Sequence, residues 1–222
     1  MRAACQTIFY LRDMKTLVVA ATTAELSGIY EHFNLKPGAF VPGPGFDILI
    51  TGVGMTATAF ALGKTLNNRY TQVLNLGIAG AFDRQIPLGA LVHIQQETFS
   101  ELGAEDKETF ITLDELGFGS STIECMSVDN PMLINLIKGT GITVNTVHGN
   151  TESIHKIAAR LNPTIESMEG AAVFYAAKQT QTPCIQVRSI SNYVEERNNA
   201  AWKIGMAIKN LNDWGISFLT NL

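Results

Sequence analysis

The sequence predicts an α/β fold, a three-layer α/β/α sandwich around a central mixed, mostly parallel sheet. Three observations predict it. Short apolar, β-branched runs recur along the chain, each of a length that suits a buried strand. Segments with helical spacing alternate with them, as expected when crossover helices join parallel strands. Polar or glycine-rich residues follow the strands, where α/β sheets of this kind bind ligands.

The elements follow in order. Lys15 to Ala21 reads as the first buried strand, and Thr22 and Thr23 offer caps to a helix carrying Glu25, Leu26, Ile29, Tyr30 and Phe33. Pro37 to Gly45, rich in proline and glycine, is a loop or hairpin tip. Phe46 to Thr51 is the next strand; it ends in Gly52-Val53-Gly54 and leads into an Ala/Thr-rich helix reaching about Asn67. Gln72 to Leu76 is a buried strand closed by Gly77-Ile78-Ala79-Gly80, and Leu91 to Phe99 is a strand running into a charged loop, Ser100 to Thr109. A helix from Pro131, a strand over Ile142 to Val147 and a helix over Thr151 to Leu161 come next. The last third reads as strand Ile165 to Ser167, helix Glu169 to Lys178, strand Cys184 to Ser189 and a long helix from about Arg197.

Composition narrows the function classes. With 222 residues, 46% hydrophobic and 16% charged, the chain is long enough to bury a core without disulfide or metal support. One domain is expected over residues 14–222, with residues 1–13 a disordered or non-native extension. A net charge of −4 without a basic cluster argues against nucleic acid. No apolar run is long enough to span a bilayer, and three cysteines at unrelated spacings suit a reducing cytoplasm. His32, His93, His148 and His155 have no metal-ligand spacing, there is no Cys-x-x-Cys, and no G-x-S-x-G elbow occurs. No metal and no cofactor is expected. What remains is carboxylate acid–base chemistry with amide recognition.

Several residues carry that chemistry, each with a plainer alternative. Gly52-Val53-Gly54-Met55-Thr56-Ala57 fits a dinucleotide fingerprint, but the following strand ends in no ribose-binding acid, which favours a tight turn. Glu25 and Glu169 stand at helix starts, where a carboxylate can simply complement the helix dipole. Small residues 170–172 would let Glu169 pack closely and be held rigid. Arg188 ends an apolar strand, so its guanidinium needs a partner, for which Glu25 or Glu169 is the natural choice.

In order along the chain, VVAATTAEL, TGVGMTATA, LNLGIAGAF, ESMEGAA and VRSISNYVEERN resemble the nucleoside phosphorylase/hydrolase family, especially its methylthioadenosine/adenosylhomocysteine nucleosidase branch. The resemblance runs from about Met14 to the C-terminus, and ESMEGAA with VRSISN is its most specific part. It implies that Glu25 activates an attacking water, Glu169 grips the ribose hydroxyls and Met168 packs on the sugar. It also implies that Asn192 binds N7 of the leaving purine, with Ile78, Ala79 and Gly80 flooring the site. The implied partner is a small-molecule purine nucleoside, and a homo-oligomer is implied as well.

Two departures from the family pattern refine this. Phosphorolytic members carry an arginine and a hydroxyl where this chain has Asn75 and Ile78, so water is the expected nucleophile. Adenine-cleaving relatives carry aspartate where this chain has Asn192. An asparagine amide donates to N7 and O6, both acceptors, which suits a 6-oxopurine. A broader purine nucleosidase and a catalytically silent nucleoside-binding relative stay open as alternatives. For the substrate's 5′ arm, Arg197, His148 and the Phe99 to Glu108 loop are the candidates.

Overall fold

The computed structural model describes residues 14–124, 126 and 128–222; the expected extension over residues 1–13 lies outside them. Strand β1 (Lys15–Ala20) lies between β3 (Phe46–Ile50) and β4 (Tyr70–Ala81), parallel to both, with Val18 opposite Ile48 and Leu74. Its side chains alternate between two faces. Leu17 and Val19 meet Leu62 of α2 (Met55–Thr65) and Val173, Phe174 and Ala177 of α4 (Gly170–Gln179). Val18 and Ala20 meet Ile29 of α1 (Ser27–His32) and Leu211 and Phe218 of α5 (Ile204–Thr220). Helices therefore cover both faces, which is why Leu17 to Ala20 are all apolar rather than alternating.

The main sheet also takes in β2 (Phe40–Pro42), β5 (Leu91–Phe99), β8 (Thr122–Glu124), β9 (Ile137–Thr143), β10 (Ile165–Ser167) and β11 (Cys184–Tyr193). The strand order is β10-β9-β5-β11-β4-β1-β3-β2, with β8 on β5. Among the described residues five of its nine pairings are parallel, so the sheet is mixed as expected. It does not stay open. β10 runs parallel to β9 and antiparallel to the far end of β4, pairing Glu166 with Gly80, and this closes five strands into a barrel-like ring.

Several boundaries depart from the sequence reading. The strand expected over Ile142 to Val147 is β9 and ends at Thr143, and the one expected to end at Ser189 is β11 and runs on to Tyr193. Gly77 to Gly80 do not end a strand: β4 continues to Ala81, because β11 and β10 pair with it there and absent side chains let them approach. Pro131–Leu133 is a single 3₁₀ turn started by the Asn130 side chain, since the chain must reach Val92 of β5 by Ile137. The 100–109 segment contributes to a hairpin of β6 (Gly103–Asp106) and β7 (Thr109–Thr112). The last helix starts at Ile204. α3 (Thr151–Leu161) falls where the spacing predicts it, stopped by the Asn150 cap at one end and left-handed Asn162 at the other.

Candidate active site

A cavity of about 310 Å³ opens at the carboxyl ends of β1, β4, β10 and β11. Its wall holds Glu25, Met168, Glu169 and Asn192, with Ile78, Ala79 and Gly80. Seven of the eight residues expected at the site thus share one cavity. Arg188 is the exception: it is 1% exposed and lies beneath the wall rather than in it.

Glu25 follows β1 in a 3₁₀ turn over Ala24–Leu26. Neither Thr22 nor Thr23 caps that turn through its hydroxyl, contrary to the sequence expectation. Thr22 instead spends its backbone N–H (2.9 Å) and hydroxyl (3.0 Å) on Glu25 Oε2, while the Ile78 N–H donates to Oε1 at 3.2 Å. Three donors leave the carboxylate little rotational freedom. The turn itself is pinned by Asn212 of α5, whose amide donates to the Glu25 carbonyl and accepts the Ile29 N–H. Nothing in the local sequence links residues 187 positions apart, so Asn212 was not legible as part of the site.

Glu169 precedes α4, and its Oε1 accepts the Gly54 N–H at 2.9 Å. That bond gives the Gly52-Val53-Gly54 turn its role: the amide serves a carboxylate of the site and not a dinucleotide phosphate. Gly54 has a φ of +95°, a region that favours glycine. Burial pushes the Glu169 carboxyl above the usual carboxylate range, with the Arg188 charge and the Gly54 amide pulling it back.

Asn192 owes its direction to a β-bulge. Ile190 pairs with Ala79 and Asn192 with Gly80, so Ser191 is the extra residue. The Ser191 hydroxyl donates to Asn192 Oδ1 (2.7 Å), and Asn192 Nδ2 donates to the Tyr193 carbonyl (3.0 Å). One lone pair of the oxygen is thereby engaged, and one N–H remains for a ligand.

Arg188 makes no ion pair among the described residues, so the expected bond to Glu25 or Glu169 is not formed. Its guanidinium instead occupies the side-chain space above Gly77, opposite it in the β4–β11 register. From there it acts through its field on Glu169 and on Glu97. Glu97 is fully buried on β5 and was not singled out in the sequence. Gln186 donates to its Oε1 at 2.5 Å and Thr143 to its Oε2 at 2.9 Å, while Thr143 Oγ1 accepts the Ala171 N–H at the start of α4. Asn75 in turn donates to Gln186. Gly170 leaves the room that the Glu97 carboxyl fills.

Burial pushes the Glu97 carboxyl up to about 7. The folded chain then keeps a proton that the unfolded chain releases, so this group's contribution to stability is full below its ordinary range and is lost as pH rises through 7. Glu97→Gln is expected to gain on the wild type between about pH 5 and about pH 8, by on the order of 3 kcal/mol. Urea unfolding at the two pH values checks it; a pH-independent difference would show that Glu97 is not protonated in the fold.

The remaining candidates divide. His148 lines the cavity, bonded to Glu166 of β10, whereas the Arg197 guanidinium stacks over Trp202, which also lines the cavity. No residue of 99–108 lines it. The wall contains three carboxylates and no lysine or arginine, and among the described residues no cluster could hold a metal ion. No helix among them is long and apolar enough to cross a membrane.

The chain is similar to known proteins along most of its length. A futalosine hydrolase of Streptomyces coelicolor is 31% identical, covering 90% of this chain and 93% of the relative. One from Thermus thermophilus is 27% identical over 76% of this chain and 79% of the relative. Among solved structures, the futalosine hydrolase of Helicobacter pylori superposes with a TM-score of 0.79 at 18% identity, covering 95% of this chain and 99% of that one. The sequence profile of the phosphorylase superfamily matches residues 39–214. The chain belongs to the phosphorylase superfamily.

Proposed function

We propose that the chain, as one domain over residues 14–222 with a three-layer α/β/α arrangement, hydrolyses the N-glycosidic bond of futalosine. The products are hypoxanthine and dehypoxanthine futalosine, in menaquinone biosynthesis. The observation that carries the reading is the meeting of Glu25, Glu169 and Asn192 in one cavity whose wall has no cation. The futalosine hydrolase relatives support the substrate.

The chemistry follows from the geometry. Cleavage passes through an oxocarbenium-like sugar, which needs a positioned nucleophile, a held ribose and a stabilised leaving base. Glu25, held by three donors, takes the proton from the attacking water. Glu169 accepts from the ribose hydroxyls, with Met168 against the sugar. The free N–H of Asn192 donates to N7 as the base departs. Phosphate is a poor nucleophile for this site: it would meet carboxylates with no countercharge in the wall, and Asn75 is spent on Gln186. Arg188 supports the carboxylates from below. Arg197, stacked on Trp202, is our candidate for the 5′ carboxylate. We place the enzyme in the cytoplasm as a homo-oligomer.

The resemblance to the methylthioadenosine/S-adenosylhomocysteine nucleosidase of Colwellia psychrerythraea, 28% identical over 67% of this chain, fits a second reading, a broader purine nucleosidase. Base release from futalosine, aminodeoxyfutalosine, inosine and methylthioadenosine, with and without phosphate, separates the two. Futalosine is expected to exceed methylthioadenosine by at least about tenfold, independently of phosphate. Comparable turnover of both would overturn the futalosine reading, and a requirement for phosphate would overturn hydrolysis.

A further inference from the structure

If Asn192 reads the N7 and C6 side of a purine, the N1 edge falls to the next polar group along the wall. That group is Glu166. A side chain at Gly80 would come within 3.1 Å of Asn192 Nδ2 and 3.6 Å of Glu166 Cγ, so the amide and the acid flank one bare strand position. Glu166 is 4% exposed and still lines the cavity. Its two oxygens are held from one side by His148: the backbone N–H donates to Oε1 at 3.1 Å, and ring Nδ1 lies 2.6 Å from Oε2. Among the described residues no lysine or arginine pairs with it. A carboxylate kept so buried, and so firmly aimed, is costly to retain for packing alone, where an apolar strand residue would serve.

Resting on the nucleoside-cleaving reading above, we propose that Glu166, oriented by His148, accepts the N1–H of the 6-oxopurine and sets the base specificity of the site. Along that edge hypoxanthine presents N7 and O6 as acceptors and N1–H as a donor. Asn192 and Glu166 present a donor and then an acceptor in matching order. Adenine presents the 6-amino group as a donor and N1 as an acceptor, so its N1 lone pair faces the carboxylate and goes unmatched. Glu166 takes no part in bond breaking; it is a specificity-determining residue.

The test titrates free hypoxanthine, 1-methylhypoxanthine and adenine into wild-type protein and Glu166→Gln, and measures hypoxanthine release from futalosine alongside. The wild type is expected to bind hypoxanthine at least about tenfold more tightly than either other base, and Glu166→Gln to narrow the hypoxanthine–adenine gap to within about threefold. Equal binding of hypoxanthine and 1-methylhypoxanthine by the wild type would overturn the assignment, however any variant folds. Unchanged discrimination in a folded Glu166→Gln would overturn it too. Absence of base release from every nucleoside by the wild type would instead strike the cleavage reading. Normal release with no penalty at N1 would remove only the role of Glu166.

Discussion

Glu25→Gln is expected to lower base release by about a thousandfold while leaving nucleoside binding within about threefold of wild type. The substitution preserves volume but removes the basic lone pair that, in the proposed mechanism, receives the proton of water. It also disturbs the anchoring. The carboxylate accepts two bonds from Thr22 on one oxygen and one from Ile78 on the other. An amide has a single acceptor oxygen, which would turn toward Thr22 and leave its NH₂ facing the Ile78 N–H. That mismatch costs about 1 kcal/mol of stability, too little to unfold the domain and far too little to explain the loss of rate. Steady-state base release, calorimetric binding of a non-cleavable nucleoside and a thermal melt separate the three effects. Unchanged turnover would remove Glu25 from the mechanism, and loss of binding in step with rate would make it a binding residue.

The parts of this fold that were legible are those where one local rule decides. Leu17 to Ala20 of β1 and Ile48 to Ile50 of β3 are apolar because both faces are covered, and α3 carries its own stop signals in Asn150 and Asn162. Where partners from distant segments decide, the sequence misled. Gly77 to Gly80 has the composition of a loop and becomes strand, because β11 and β10 supply its hydrogen bonds. The bulge at Ser191, which aims Asn192, leaves no mark in composition. The same holds for the site. Glu25, Glu169 and Asn192 came from their place after strands and from family resemblance. Glu97 and Glu166 sit within strands, where a buried acid and a solvent-facing one read alike. Their burial depends on Gln186, Thr143 and His148, none of them neighbours in sequence.

Gly77→Ala is expected to cost this protein both stability and activity. Its Cβ would overlap Arg188 Nη1 and come within 3.0 Å of Glu25 Oε1 and 3.1 Å of Arg188 Cζ. A long side chain can usually swing away from such a clash, but Arg188 is 1% exposed and enclosed by the same strands that hold it. The guanidinium must therefore shift, and with it the field that steadies Glu169 and Glu97, while Glu25 is pushed off its Ile78 donor. Overpacking of this kind costs about 1–3 kcal/mol of stability. A displacement of about 1 Å at a carboxylate with the role proposed for Glu25 costs about a hundredfold in rate. The two losses should appear together, kcat/KM falling at least about a hundredfold in a variant that still melts cooperatively. Gly63→Ala is the matched control, because its added methyl meets nothing within 4 Å on the exposed side of the last turn of α2. There the same change should raise stability by about 0.5–1 kcal/mol and leave turnover untouched. Wild-type activity and melting in Gly77→Ala would mean that the guanidinium does not rest against the strand, and the buried support under Glu25 and Glu169 would have to be assigned elsewhere.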